Sequence, residues 1–272
     1  MKYPLFLLLL FASCSMHKMI EQEKAEILSS VKEGEAPIVT EERIQSLPEP
    51  VKKWLKTTGI VGRPEIRRGW LSQSAQMTMK PDQKKWYTAK AKQLFTTDPP
   101  AFLWTVRMKM NPLISIKGRD KFVDGKGEMR IRMNALMNVV HETGEKIDEG
   151  TLQRYLGEIV WYPTAALSPY ITWESIDEFS AKATMRYNGT EGSGTFYFNE
   201  KGDFIRFSAM RYKENTSDAR RYEWIISVRK YAVMDGVKIP VEMDATWKLE
   251  DGDWTWLKLT IDKIIYDQDK QE

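Results

Sequence analysis

The sequence has little of the chemistry from which metal sites, disulfides and nucleotide sites are built. It contains one cysteine, Cys14, and two histidines, His17 and His141. A single thiol excludes a disulfide within the chain, so folding stability has to come from packing. Zinc hydrolase sites of the helical type need two histidines about one turn apart, and His141 has no such partner. Glycine-rich phosphate loops and nucleotide fingerprints are also missing. We therefore expect no metal and no cofactor.

The sequence also lacks a strong excess of either charge. Its 41 basic and 38 acidic residues give a formal net charge of +3, which is too small to attract a polyanion over a distance. We expect no nucleic-acid partner.

A serine–histidine triad would have to use His141, and Gly192-Ser193-Gly194 lacks the strand-to-helix turn that presents such a serine. The sequence therefore offers no catalytic triad, and we assign no catalytic residue.

Long apolar runs are missing as well, and the longest lies at the start of the chain. It extends from Leu5 to Phe11, too short to span a bilayer, which takes about 20 apolar residues. Lys2 precedes the run and small residues follow it, an order typical of a secretory signal. The sequence therefore predicts an exported protein.

Cys14 stands where the apolar run ends. Ala12-Ser13-Cys14 resembles the lipobox of bacterial lipoproteins, in which the thiol is acylated and becomes the first residue. The resemblance implies a signal peptide over residues 1–13 and attachment to a membrane through Cys14. The alternative is an ordinary cleaved signal with a chance cysteine.

The residues after Cys14 bear on localisation. In many Gram-negative bacteria, an aspartate directly after the cysteine resembles a signal for retention in the inner membrane. Here that position is occupied by Ser15. The absence of the aspartate favours the outer membrane, with the protein facing the periplasm. Residues 14–39 are polar without a sustained apolar period and are predicted to form a tether, partly helical between Ile20 and Val31.

Two short helices are predicted after the tether. Thr40 can cap the first. The second carries one apolar face and ends at Gly59, a natural residue to follow a helix. The face is spaced i, i+3, i+4 and i+7, at Val51, Trp54, Leu55 and Thr58.

From Glu65 the apolar period changes to two, which is typical of half-buried strands. Asn188-Gly189, Asp235-Gly236 and Asp251-Gly252 separate such runs and indicate hairpins. About ten to twelve antiparallel strands are expected. One helix interrupts them; Asp148 is its predicted cap, and its apolar face is Leu152, Tyr155, Leu156 and Ile159.

These patterns predict a mainly β fold. We expect one domain over residues 40–267, a large curved antiparallel sheet or half-barrel with a few helices packed on its concave side, and a disordered tail over residues 268–272. The element order resembles the half-barrel of bacterial periplasmic lipoprotein carriers and receptors. That resemblance implies an apolar pocket between the sheet and the helices.

Several short segments form a second and more specific pattern. They are Leu47-Pro48-Glu49-Pro50-Val51, Gly118-Arg119-Asp120, Val123-Asp124-Gly125, Ile147-Asp148-Glu149-Gly150, Arg154-Tyr155-Leu156 and Trp161-Tyr162-Pro163-Thr164-Ala165. Together they look like an uncharacterised bacterial family with no assigned activity. The similarity covers about Leu47 to Tyr266 and implies no chemistry.

The first candidate site is an apolar, methionine-rich face shared by neighbouring strands. Methionine adapts to irregular partners and suits a wall that contacts variable acyl chains. The alternative is that the same side chains fill a closed core. The predicted wall is Phe102, Trp104, Met108, Met110, Met129, Ile131 and Met133.

The second candidate is polar. Paired carboxylates can divide acid and base roles when their surroundings separate their pKa values; the alternative is a structural network that fixes the helix to the sheet. Its residues are Arg119, Asp120, Asp124, Asp148 and Glu149.

The function expected from the sequence is that of a lipid-anchored periplasmic protein. It would bind or handle an apolar or amphipathic ligand, a lipid or the acyl chain of a lipoprotein, and its membrane contact would be the lipidated Cys14. One alternative is an envelope scaffold or interaction module without a pocket. Another, less favoured, is an envelope enzyme that uses the polar cluster.

Overall fold

The structure is a computed structural model that describes residues 4–134 and 137–267, with side chains from residue 16 onward. The side chain of Cys14, part of the predicted signal peptide and the predicted tail at residues 268–272 lie outside the described residues. Among the helices that are described, none is both long and apolar enough to cross a membrane.

One antiparallel sheet of thirteen strands dominates the described chain. The strands are β1 Arg68–Met77, β2 Tyr87–Thr97, β3 Pro100–Asn111, β4 Ile114–Val123, β5 Lys126–Met133, β6 Met137–Glu142, β7 Ile171–Asp177, β8 Ser180–Tyr187, β9 Thr190–Phe198, β10 Phe204–Tyr212, β11 Arg221–Met234, β12 Val237–Leu249 and β13 Gly252–Tyr266. Their order across the sheet is β6-β5-β4-β3-β2-β1-β13-β12-β11-β10-β9-β8-β7.

The chain builds this sheet in two limbs. From β1 it adds hairpin after hairpin out to the edge strand β6, crosses to the opposite edge at β7, and returns to pair β13 with β1. The two edge strands are mostly exposed and alternate weakly. That weakness is the reason that the sequence predicts about ten to twelve strands.

Within the described residues, four α-helices and two 3-10 turns accompany the sheet. They are α1 Pro4–Ser29, α2 Glu41–Ile44, α3 Glu49–Thr58 and α4 Glu145–Glu158, with the turns at Ile159–Trp161 and Pro163–Leu167. Thr40 caps α2 as predicted, accepting a hydrogen bond from the Arg43 amide. Gly59 ends α3 at φ 78°, a left-handed conformation that glycine adopts without strain.

The sheet curves around α4. This helix contacts β4 and β5 of one limb and β8, β9 and β10 of the other. At the same end the turn between β4 and β5 meets the start of β9, where the Thr190 hydroxyl donates to the Gly125 carbonyl over 2.7 Å. The predicted fold class, a curved antiparallel half-barrel with a few helices in its concavity, is confirmed.

The prediction that Asp148 caps α4 is wrong. The helix begins one turn earlier, after Gly144. Asp148 lies within the first turn and accepts hydrogen bonds from the Gly127 amide at 2.8 Å and the Lys126 ammonium at 2.9 Å. The carboxylate therefore fastens α4 to β5, because its neighbours in space come from the sheet.

Aromatic side chains fill the half-barrel at the end where the limbs meet, which we call the closed end. The ring of Phe95 stacks on Tyr162 with centroids 4.1 Å apart, and Phe122 lies 5.9 Å from Tyr155. The Tyr155 hydroxyl donates to the Thr96 carbonyl over 3.0 Å. The closed end is therefore filled by packed side chains, and its buried hydroxyls are hydrogen-bonded.

The convex face of the sheet carries α1. Ile27 packs in a small apolar cluster with Trp70, Leu94, Ala101 and Leu103. Part of the segment predicted as a tether is therefore helical and packed on the sheet.

Candidate functional site

A cavity of about 370 Å³ lies inside the curve, beyond the aromatic residues of the closed end. We call this part of the interior the open end. One wall comes from β3, β4 and β5, through Trp104, Val106, Met108, Ile116, Met129 and Ile131. The facing wall comes from β11, β12 and β13, through Trp224, Ile226, Met243, Trp247, Trp256 and Leu259. The volume falls in the range of small-molecule sites.

The open end is hollow because the strands are longer than the helices inside them. β13 has 15 residues, which span about 50 Å at strand geometry. The 14 residues of α4 span about 21 Å, and α4 lies at the closed end. Side chains that point inward beyond the helix have no helix to pack against.

The predicted apolar wall divides between the two ends. Trp104, Met108, Met129 and Ile131 line the cavity. Phe102 is fully buried at the closed end, with its ring 6.2 Å from Phe122. Met110 and Met133 lie near the outer ends of their strands, half-buried and outside the cavity lining.

A buried ionic network lies where the cavity meets α4. Arg154 of α4 forms an ion pair with Asp120 of β4 and another with Glu158 at 2.7 Å. The amide of Gln93 donates to the other Glu158 oxygen over 2.7 Å. Burial disfavours the charged guanidinium, but the two carboxylates outweigh it and hold the pKa of Arg154 above its usual value.

The predicted polar cluster is not one site. Arg119 and Asp120 are consecutive residues of β4, so their side chains lie on opposite faces of the sheet. Arg119 points outward, where it binds Glu23 of α1 and, at 2.9 Å, Glu128 of β5. Asp120 points inward to Arg154. Because side chains alternate between the two faces of a strand, the sequence alone is enough to predict that Arg119 and Asp120 lie on opposite faces.

The other predicted polar residues are also dispersed. Asp124 occupies the turn between β4 and β5 with a φ of 52°. Asp148 fastens α4 to β5, and Glu149 pairs with Arg221 at 2.8 Å. Of the predicted residues, Asp120 through Arg154 and Asp148 through Gly127 fasten α4 to the sheet. In the described chain no three His, Cys, Asp or Glu side chains are placed to hold a metal ion.

Arg211 of β10 is a site residue that the sequence reasoning missed. It lines the cavity, and its guanidinium carbon lies 4.1 Å from the ring centroid of Trp224. Burial, together with the charge of Arg154, lowers its pKa to about 10. The signal was present, because Arg211 continues the inward period of Phe207 and Ala209.

The comparisons with known proteins concern the body of the chain. Residues 37–259 match the model of a family of unknown function, DUF6544. The chain belongs to this family. The resemblance to an uncharacterised family, drawn from the short segments, is thereby confirmed. No curated protein matches the sequence significantly.

Two solved structures are similar to this DUF6544 protein over most of their length. A DUF1329 family protein from Desulfovibrio piger has 8% sequence identity and a TM-score of 0.46, covering 82% of this chain and 93% of its own. A LolA superfamily protein from Nitrosomonas europaea has 10% identity and a TM-score of 0.41, covering 80% of this chain and 92% of its own.

Proposed function

We propose that this DUF6544 protein binds the hydrocarbon part of a lipid or acyl chain in the open end of its half-barrel. The observation that carries the proposal is the hollow of about 370 Å³ between two apolar walls. Each methylene group moved from water into such a site gains about 0.8 kcal/mol. An interaction module without a pocket does not account for this hollow.

The side chains of the cavity suit a ligand of variable shape. Met77, Met108, Met129 and Met243 contribute to the lining, and methionine repacks around irregular partners because its side chain is unbranched. Tryptophan rings supply large apolar surfaces between them. The walls select for hydrocarbon rather than for one particular molecule.

The same proposal places the protein on a membrane through acylated Cys14, in the outer membrane and facing the periplasm. Helix α1 supports a position for the anchor. Ile27 contacts β2 and β3, Glu23 contacts β4, and the Met19 sulfur lies 3.6 Å from Arg130 of β5. Toward its N-terminus, the contacts of α1 therefore pass from β2 and β3 to β4 and then to β5.

The anchor is tested by Cys14→Ala in cells fed labelled palmitate. The wild-type chain should take up label and fractionate with membranes, and the variant should do neither. Label retained by the variant would contradict acylation at this residue.

The cavity is tested by a matched pair of substitutions. Ile131 lines the cavity, whereas Ile205 of β10 is 42% exposed on the outside of the sheet. Ile131→Trp fills the hollow and Ile205→Trp adds the same side chain to solvent.

Native mass spectrometry of protein taken from membranes and held in amphipol provides the readout. We expect an added lipid mass on the wild type and on Ile205→Trp, and its loss from Ile131→Trp. A clean apo mass for the wild type, or an equal lipid load on both variants, would contradict the proposal.

A further inference from the structure

The inner end of the cavity holds two positive and two negative side chains. They are Arg154, Arg211, Asp120 and Glu158. Both carboxylates bind Arg154, and Glu158 uses its second oxygen for Gln93. The two positive and two negative charges cancel, but the ion pairs and hydrogen bonds are not shared equally among the four side chains.

Arg211 is the member left without a direct partner. Among the described residues it forms no hydrogen bond and no ion pair, and its Nε is buried and unbonded. The acids that influence it, Asp120, Glu158 and Glu149, act on it through space only. Buried donors in folded proteins are almost always hydrogen-bonded, so this one calls for an explanation.

The surroundings of Arg211 hold the guanidinium in place without neutralising it. One face of the group lies against the ring of Trp224, and the Trp247 centroid is 5.9 Å away. On the side of α4 the chain has Gly150, where an added Cβ would be 3.2 Å from Arg211 Nη2. A glycine in the middle of a helix is unfavourable; here it leaves room for the guanidinium.

Arg119 shows what a structural arginine looks like in the same protein. Its side chain is 1% exposed and binds both Glu23 and Glu128. Arg211 opens instead onto an apolar hollow. A planar guanidinium fits carboxylate and phosphate groups through two parallel hydrogen bonds, and a low-dielectric wall strengthens such a pair.

We propose that the ligand is an anionic amphipath that enters head-first, with its carboxylate or phosphate bound to Arg211 and its hydrocarbon chain against the methionine and tryptophan walls. This inference rests on the proposed function and adds the ligand's charge and its direction in the cavity. An anion here supplies the partner that the guanidinium lacks.

The test uses dodecanoate, dodecyl phosphate and dodecanol, which share one chain and differ in head group. Calorimetric titration of each into the amphipol-held full chain gives the affinities, with Ile131→Trp protein as the background for binding outside the cavity. We expect at least one anion to bind the wild type about tenfold or more tightly than dodecanol, as expected for a charged hydrogen-bonded pair. The stronger of the two anions identifies a fatty-acid or a phosphate head group.

Arg211→Met should abolish this preference by bringing the affinity of the anions down to that of dodecanol in the same variant. Arg229→Met is the matched control, because Arg229 pairs with Asp244 and its side chain is 53% exposed. Removing an unpaired buried charge does not require loss of stability, so Arg211→Met should melt no lower than the control. Gly150→Ala provides a second variant, which pushes on Nη2 and should weaken the preference without removing the charge.

Three results would overturn the inference. Equal affinity of the wild type for dodecanol and both anions would remove the head-group contact and leave the proposed function standing. An anion preference that survives in Arg211→Met would place the head group elsewhere. No binding of any probe above the Ile131→Trp background would end the proposed function and this inference with it.

Discussion

The closed end and the open end of the half-barrel are built on the same strands but hold different contents. At the closed end Phe95, Phe122, Tyr155 and Tyr162 pack ring against ring. At the open end inward side chains of β3 and of β12 face each other across a hollow of about 370 Å³. Alternation along a strand decides which side chains point inward. Whether they meet a partner depends on where the helices end.

The polar groups differ between the ends in the same way. The hydroxyls of Tyr155 and Tyr162 both donate to carbonyls, and burial raises the pKa of each tyrosine well above its ordinary value. At the open end several buried polar atoms have no partner in the described chain, namely Arg211 Nε, Asp120 Oδ1, Trp224 Nε1 and Trp256 Nε1. The described part of the protein itself supplies partners for these two tyrosine hydroxyls of the closed end, but not for these four atoms of the open end.

Phe122→Ala should have the largest effect on stability. Phe122 is fully buried, and truncating a packed phenylalanine costs about 3–5 kcal/mol through lost burial and a new void. Urea unfolding followed by tryptophan fluorescence measures the change. A loss below about 1 kcal/mol would show that the closed end is not packed as tightly as the ring contacts indicate.

Asp120→Asn comes next, since Asp120 lies at the boundary between the two ends. The substitution leaves the buried Arg154 with Glu158 as its one carboxylate partner, and a loss of about 1–3 kcal/mol is expected for a weakened buried charge pair. Asp244→Asn is the control. It weakens a more exposed pair with Arg229, worth about 0–1 kcal/mol. Equal losses in urea unfolding would mean that the interior pair is as screened as the outer one.

A third prediction contrasts the interior with the convex face, where ion pairs between side chains hold α1 on the sheet. Burial opposes ionisation of Glu128, but Arg119 and Arg130 outweigh it and hold the pKa at about 2, below the usual 4.5. A depressed carboxyl pKa stabilises the folded state above pH 4.5, and this contribution is lost as the pH falls toward 2.

We expect a loss on the order of 1–2 kcal/mol over that interval, after allowance for solvent screening. Unfolding free energies measured at pH 5 and pH 3 for the wild type and Glu128→Gln provide the check. The variant should lack part of the decline. An identical pH dependence in both proteins would show that Glu128 does not titrate with folding.

The sequence predicted the strands and their direction well because both depend on local patterns. Asn188-Gly189 and Asp235-Gly236 force tight turns, and period-two runs show which side chains share a face. The same local signals could have separated Arg119 from Asp120. The fold class and the family could therefore both be predicted from residues that are close together in the chain.

The rest of the candidate site depends on contacts between distant residues. Glu23 meets Arg119 across 96 positions, and Arg211 lies over Gly150 only because β10 and α4 meet in the folded chain. No sequence period shows that α4 stops short of the outer strand ends. For this reason the sequence predicts Phe102 in the pocket wall, whereas the structure places it at the closed end beside Phe122.

Met129→Ala should have the smallest effect and isolates the comparison between the ends. Met129 is half-buried and already borders empty space, so its truncation enlarges a hollow instead of creating one. A loss of about 1 kcal/mol or less is expected, below the 2–5 kcal/mol typical of packed methionines. Urea unfolding beside Phe122→Ala measures the difference directly. If Met129→Ala costs as much as a packed core residue, the cavity wall is held as tightly as the closed end, and the division of the interior into a filled and a hollow half fails.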